Sequence, residues 1–174
     1  MSKLEDYVIT IPDFPKEGIM FRDVTGILEH QDGLKIATDE LVKCLEGVEF
    51  DSVASVEARG FVFGAPVAYA MGKSFMMIRK RGKLPRETVS KEYELEYGKA
   101  VIEIHKDDIK PGQKIVIVDD VIATGGTFKA AIELLESVGA EVVKVLCLME
   151  LKGLNGREVL KDYDVDSLIQ YEGK

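Results

Sequence analysis

The sequence predicts an α/β fold, a single domain with a central parallel sheet flanked by helices. Runs rich in β-branched residues alternate along the chain with runs of helical periodicity, which is the pattern of a parallel sheet covered by helices. The length agrees: 174 residues make about one domain, and such a domain buries roughly 68–70 % of its unfolded surface without staples. No internal repeat, low-complexity tract or domain boundary interrupts residues 1–174.

The first stretch, about residues 1–30, contains Pro12, Pro15 and Gly18 and is irregular enough to form a separate flap. Leu34, Ala37, Leu41, Cys44, Leu45 and Val48 recur at three- and four-residue spacing, so residues 33–46 form an amphipathic helix. A strand follows at Ser52–Val56. After the turn Glu57-Ala58-Arg59-Gly60, the run from Phe61 to Met71 is apolar on nearly every side and reads as a short buried helix. Ser74–Ile78 is a buried strand, with Met76 and Met77 in the core.

Between Arg79 and Gly98 the pattern dissolves into charge, Gly82 and Pro85, with five Lys or Arg in the eight residues from Arg79 to Arg86. A loop of that length in a compact domain is usually a functional lid or disordered. Strands resume at Val101–Ile104 and, after the turn Lys110-Pro111-Gly112, at Ile115–Val118, which ends in Asp119-Asp120. Phe128, Ala131, Ile132, Leu135 and Val138 share one face of a helix that Gly139 closes as its C′ residue. Val142–Met149 supplies one more central strand.

Composition narrows the class. Hydrophobic residues make up 46 % and charged residues 31 %, an ordinary globular balance. The net charge, 23 minus 31 or −8, repels nucleic acid and membrane surfaces, so a bound polyanion must meet a local basic patch. A regulator built to bind DNA or RNA would want a helix-turn-helix or a broad basic face, and the sequence has neither. Cys44 and Cys147 fall in apolar patterns and read as buried thiols rather than a disulfide framework. The uncharged stretch Gly60–Gly72 is far shorter than the ~20 residues that cross a bilayer. No apolar segment follows Lys3, Glu5 and Asp6, so the expected location is cytoplasmic. His30 and His105 are isolated and read as surface or satisfied residues.

The chemistry concentrates in Ile115–Thr127: a buried strand, two carboxylates, a Gly125-Gly126 turn, and a helix start. Ligands of open α/β sheets bind beyond the carboxyl ends of strands, where such turns lie. Glycines allow close backbone approach, and free amides at a helix start, with about +0.5 of a charge, hold a phosphate monoester. Thr124 and Thr127 add hydroxyl donors. Asp119 and Asp120 repel phosphate but suit the two hydroxyls of a ribose, or a bound Mg²⁺. The combination spells ribose 5-phosphate. A Walker-B-like Mg²⁺ site would need a Gly-x-x-x-x-Gly-Lys-[Ser/Thr] loop and a dinucleotide site a Gly-x-Gly-x-x-Gly, and both are absent from the sequence. A purely structural turn with a helix cap stays open as the alternative.

Val116–Thr127 resembles the phosphoribosyl-pyrophosphate motif of the type I phosphoribosyltransferases. Phe14-Pro-x-x-Gly-Ile-x-Phe-Arg-Asp23, Glu57-Ala-Arg-Gly-Phe-x-Phe-Gly64, Ile78-Arg-Lys-Arg-Gly-Lys-Leu-Pro85, Leu95-Glu-Tyr-Gly-Lys99 and Ser167-Leu-Ile-Gln-Tyr171 are similar, in the same order, to segments of the adenine-specific members. The resemblance implies the type I fold with a small N-terminal hood and a purine salvage reaction. In that reaction adenine and 5-phosphoribosyl 1-pyrophosphate (PRPP) give AMP and pyrophosphate.

It also implies roles. Ala123–Thr127 with Asp119 and Asp120 would hold the ribose phosphate, with Mg²⁺ carried by PRPP near the acids and no direct metal ligand. Arg59, as a catalytic cation, and the backbone of Glu57, Ala58, Arg59 and Gly60 would form the pyrophosphate loop and stabilise the leaving charge, with the Glu57–Ala58 peptide cis. The family has Asp and Ser where this chain has Glu57 and Ala58, a change that a backbone-binding loop is expected to tolerate. Arg79, Lys80 and Lys83 would meet the same pyrophosphate, partly across a homodimer, or else form a solvated face. Glu92–Gly98 would be a lid, with Glu96 taking the proton from the purine and Tyr97 supporting it; an exposed lid residue is the alternative for Glu96. Met20 and Arg22 would read adenine through main-chain groups while Phe21 and Val121 cover the ring.

Overall fold

The computed structural model describes residues 4–94 and 98–173. Nine strands and five α-helices follow one another as β1 (Ile9–Pro12), β2 (Met20–Asp23), α1 (Thr25–Glu29), α2 (Gly33–Lys43), β3 (Ser52–Val56), α3 (Arg59–Met71), β4 (Ser74–Lys80), β5 (Thr88–Glu94), β6 (Lys99–His105), β7 (Lys114–Ile122), α4 (Gly126–Ser137), β8 (Glu141–Leu151), α5 (Gly156–Val159) and β9 (Val165–Tyr171) among the described residues. Seven of the strands form one sheet in the order β5-β6-β4-β3-β7-β8-β9. From β4 to β9 the pairing is parallel, while β6 and β5 add antiparallel strands at one edge. β1 and β2 form a separate antiparallel hairpin.

Alternation along the strands divides the core in two. Ala54, Val56, Ile78, Ile115, Ile117, Val145 and Cys147 face α4. Val53, Val116, Val118, Leu146 and Leu148 face the layer of α2 and α3, where Leu4, Val24 and Ile27 of the N-terminal segment also pack. The central parallel strands β3 and β7 are buried on both faces, which is why β3 is buried at all five positions and Ile115–Val118 is fully apolar.

The elements depart from expectation in instructive places. The region from Arg79 to Gly98 is not one loop: β4 runs to Lys80, and β5 pairs with β6 from Thr88↔His105 to Glu94↔Lys99. The sequence hides β5 because Lys91, Glu92 and Glu94 surround with charge the two apolar side chains that pack on the core, Val89 and Tyr93. β7 does not end at Val118 but carries Asp119 and Asp120 inside the strand, to Ile122. α2 stops at Lys43 rather than residue 46. Met76 is buried, but Met77 is 46 % exposed. Ser55 and Met77 are register partners, so Met77 lies on the α3 face of the sheet. Cys147 is buried and Cys44 only half-buried, both as free thiols. His30 stacks on Tyr7 at 3.9 Å, and His105 Nδ1 lies between Arg86 and Asp108.

The flap is more ordered than its composition suggests. β1 and β2 pair from Ile9↔Asp23 to Pro12↔Met20, and the Asp13–Gly18 turn is closed by the Gly18 amide donating to Asp13 Oδ1 at 2.8 Å. Phe14–Pro15 is cis and Phe14 meets Phe21 edge to face, with centroids 5.2 Å apart. Arg22 donates to Thr10 Oγ1 and lies over the Tyr171 ring at 4.2 Å, tying the hairpin to β9.

Candidate active site

The site opens at the carboxyl ends of β3, β7 and β8. A cavity of about 380 Å³ is lined by Val56–Arg59, by Asp119–Val121 and by Ala123–Phe128. The local sequence explains its shape. β7 delivers two carboxylates, and Ala123-Thr124-Gly125 then turns the chain so that α4 begins at Gly126 with its amino end toward the cavity. Among the described residues no side chain caps that end, so its first amides face the cavity without a side-chain acceptor there. Gly125 holds φ +82°, and a Cβ there would stand 2.7 Å from the Gly156 carbonyl oxygen.

Opposite, the Glu57–Ala58 peptide is cis and α3 starts at Arg59. Gly60 is buried against the acids, where a Cβ would fall 2.6 Å from Asp119 Oδ1. The close approach requires glycine and brings the pyrophosphate-loop candidates against the ribose candidates.

The two aspartates differ. Asp119 Oδ1 accepts the Asp120 amide at 2.8 Å. Burial, then the Asp120 charge, push the Asp119 carboxyl well above its ordinary value, and nearby Arg59 opposes this. Asp120 Oδ2 is buried without a hydrogen-bond partner among the described residues, although Arg59 Nε forms an ion pair with it at 2.5 Å. Two buried acids with unfilled acceptor capacity suit ribose hydroxyls or a hard cation. Among the described residues no group of three or more His, Cys, Asp or Glu could hold a metal ion by itself.

A second cavity, about 330 Å³, adjoins the first and shares Arg59, Asp120 and Val121 with it. Met20, Phe21 and Arg22 of β2 form one wall, as the resemblance implied. Ile19, Met149, Leu151 and Leu154 complete it and escaped the sequence reading. Met149 had a usable signal, since it ends an expected strand and pairs with Val121. Leu154 follows that strand in a short 3₁₀ turn with no motif of its own.

The basic run is only partly drawn in. Arg79 Nε donates to Glu57 Oε2 at 2.8 Å, and the same oxygen accepts the Lys80 amide at 3.1 Å, so Glu57 tethers the run to the cis loop. Arg79, Lys80 and Lys83 do not line the first cavity. Glu96 and Tyr97 lie outside the described residues.

A sheet-end carboxylate pair, an uncapped helix start and an adjoining apolar cavity define a phosphoribosyltransferase, and residues 23–173 match the family model described as the phosphoribosyl transferase domain. Adenine phosphoribosyltransferase of Agathobacter rectalis is 62 % identical over 174 residues, covering 100 % of both chains. The crystal structure of adenine phosphoribosyltransferase from Thermoanaerobacter pseudethanolicus superposes with a TM-score of 0.93 at 50 % identity, over 97 % of this chain and 98 % of that one. The Saccharomyces cerevisiae enzyme, complexed with an imino-altritol bisphosphate and adenine, gives 0.89 at 38 % identity over 95 % and 96 %. The chain belongs to the adenine phosphoribosyltransferase family of pentosyl-transferring enzymes.

Proposed function

We propose that this chain moves the 5-phosphoribosyl group of PRPP onto adenine, releasing pyrophosphate and forming AMP in purine salvage. The observation that carries the reading is the pair of adjoining cavities joined at Arg59, Asp120 and Val121, one lined by acids and amides and the other by apolar side chains. The 5-phosphate takes amides at the start of α4 and the hydroxyls of Thr124 and Thr127; Asp119 and Asp120 accept from the ribose hydroxyls. Adenine enters the second cavity between Phe21 and Val121, read by main-chain groups around Met20 and Arg22. The S. cerevisiae relative complexed with adenine supports that choice of base.

The purine nitrogen bonds to C1 as the bond from C1 to the pyrophosphate oxygen breaks, with inversion. Pyrophosphate leaves with ~3 or more negative charges. The backbone of Glu57–Gly60 and the Arg59 guanidinium stabilise that charge. Mg²⁺ carried by PRPP beside Asp119 and Asp120 supplies further neutralisation when bound. Glu96, supported by Tyr97, takes the proton from the purine, an assignment that rests on the family resemblance.

Lys80 and Lys83, exposed and away from the cavity of their own chain, serve the pyrophosphate of a partner in a homodimer. The exposed Tyr69 on α3 and Met77 on the same sheet face mark the apolar surface that such a partner covers. Two free thiols agree with a reducing, cytoplasmic setting, and among the described residues no helix is long and apolar enough to cross a membrane.

Adenine, hypoxanthine and orotate offered in turn with PRPP and Mg²⁺ test the substrate assignment through pyrophosphate release. Adenine is expected to win over hypoxanthine by about 5- to 150-fold in kcat/KM, because a 6-oxo base sets a carbonyl against a main-chain carbonyl, at ~1–3 kcal/mol. Turnover of hypoxanthine or orotate without adenine overturns it.

A further inference from the structure

Neither cavity is self-supporting, and one short segment backs both. After β8 the chain runs through the 3₁₀ turn Lys152–Leu154 into α5. Leu154 walls the apolar cavity. Two residues on, Gly156 is seated under the phosphate turn: its carbonyl is what a Cβ on Gly125 would strike at 2.7 Å, and its own Cβ would strike the Ala123 carbonyl. Val159 closes on Gly125 as well, its Cβ 3.2 Å from the position a Cβ on that glycine would take. The placement of this segment therefore sets both the base wall and the turn expected to hold the 5-phosphate.

The segment is pinned by a side chain that touches neither cavity. Arg157 Nε donates to both carboxylate oxygens of Glu150 at 2.8 Å, Nη1 to the Val165 carbonyl at 2.7 Å and Nη2 to Ser167 Oγ at 3.2 Å. Ser167 in turn donates to Glu150 Oε2 at 2.8 Å. Glu150 is 3 % exposed, so its charge is held by this fork. The guanidinium thus ties α5 to the ends of β8 and β9 through three separate nitrogens, a spread that the point charge of a lysine ammonium does not reproduce.

We propose that Glu150 and Arg157 are positioning residues for the transfer reaction, fixing the Lys152–Val159 segment so that the phosphate turn and the adenine wall stand in register. The proposal rests on the function proposed above and adds a residue pair to it. The test uses the full-length chain and AMP, the one ligand that spans both cavities. Arg157→Ala alone strands a buried carboxylate and invites unfolding, so E150Q/R157Q, which removes both charges, carries the experiment. R157K replaces it if the double variant does not fold.

The expected result, by calorimetry on folded protein, is an AMP dissociation constant raised ~10- to 100-fold, the scale of a displacement near 1 Å. KM should rise for both PRPP and adenine, with a smaller change in kcat. A folded variant that binds AMP within about threefold of wild type, whatever its melting temperature, overturns the proposal. Wild-type protein that fails to bind AMP instead overturns the functional reading on which the proposal rests.

Discussion

Replacing Gly125 with alanine is expected to lower kcat/KM for PRPP by about a hundredfold or more. Two costs coincide at this residue. Its φ of +82° is a conformation that costs an L-residue roughly 1–2 kcal/mol. The added methyl would also stand 2.7 Å from the Gly156 carbonyl oxygen, and that neighbour is backbone, so it cannot rotate aside. The turn must lift away from α5, and the first amides of α4 lift with it. A cradle of amides aimed at one phosphate tolerates such a shift badly, since a displacement near 1 Å costs ~10²-fold. Steady-state kinetics against each substrate, with a melting curve, give the check. A lowered melting temperature with unaltered PRPP kinetics would show that the turn serves the fold and not the phosphate.

That turn was legible because it concentrates unlike demands in a dozen residues. A run such as Ile115–Val118 is needed for a strand buried on both faces, adjacent acids are costly to bury without a task, and Gly-Gly before a helical pattern breaks both elements at one place. The parallel part of the sheet was legible for the same reason. β5 was not, since it lies at the sheet edge with one face toward solvent and its charged residues mask a period of two. Met77 misled because an apolar residue in a strand pattern reads as core, while its exposure depends on how far α3 extends over the sheet. Leu154 and the Glu150–Arg157 pair were invisible because their importance is wholly tertiary. Arg157 meets Val165 and Ser167 only after β9 has been laid beside β8.

The acidic pair yields the other large effect, and here stability and function should move in opposite directions. Changing Asp119 and Asp120 together to asparagine removes two charged acceptors from the place assigned to the ribose hydroxyls. Hydrogen bonds to charged groups contribute ~1.5–3 kcal/mol each, so PRPP affinity is expected to fall by a factor of about 10² to 10⁴. Adenine affinity should change little, because the apolar cavity touches only Asp120 of the pair. Arg59 loses its partner at small cost, its side chain being 56 % exposed. Equal weakening of both substrates would remove the ribose assignment.

The single change Asp119→Asn separates the stability effect. Burial and the Asp120 charge raise the Asp119 carboxyl above its ordinary 3.8 in the folded protein. A raised acid favours the native state below its ordinary value, and that contribution is lost as pH rises through the shifted value. Above the ordinary value the native protein must either hold a proton that the unfolded chain gives up or bear a buried charge, and both cost stability at neutral pH. Asparagine keeps the oxygen that accepts the Asp120 amide at 2.8 Å but carries no charge. The variant is expected to melt higher than wild type at neutral pH while binding PRPP poorly, and the gain should shrink as the pH falls toward 3.8. Melting temperatures across that range decide the matter: a variant less stable than wild type at neutral pH would show that the carboxylate holds the fold together rather than straining it for the substrate.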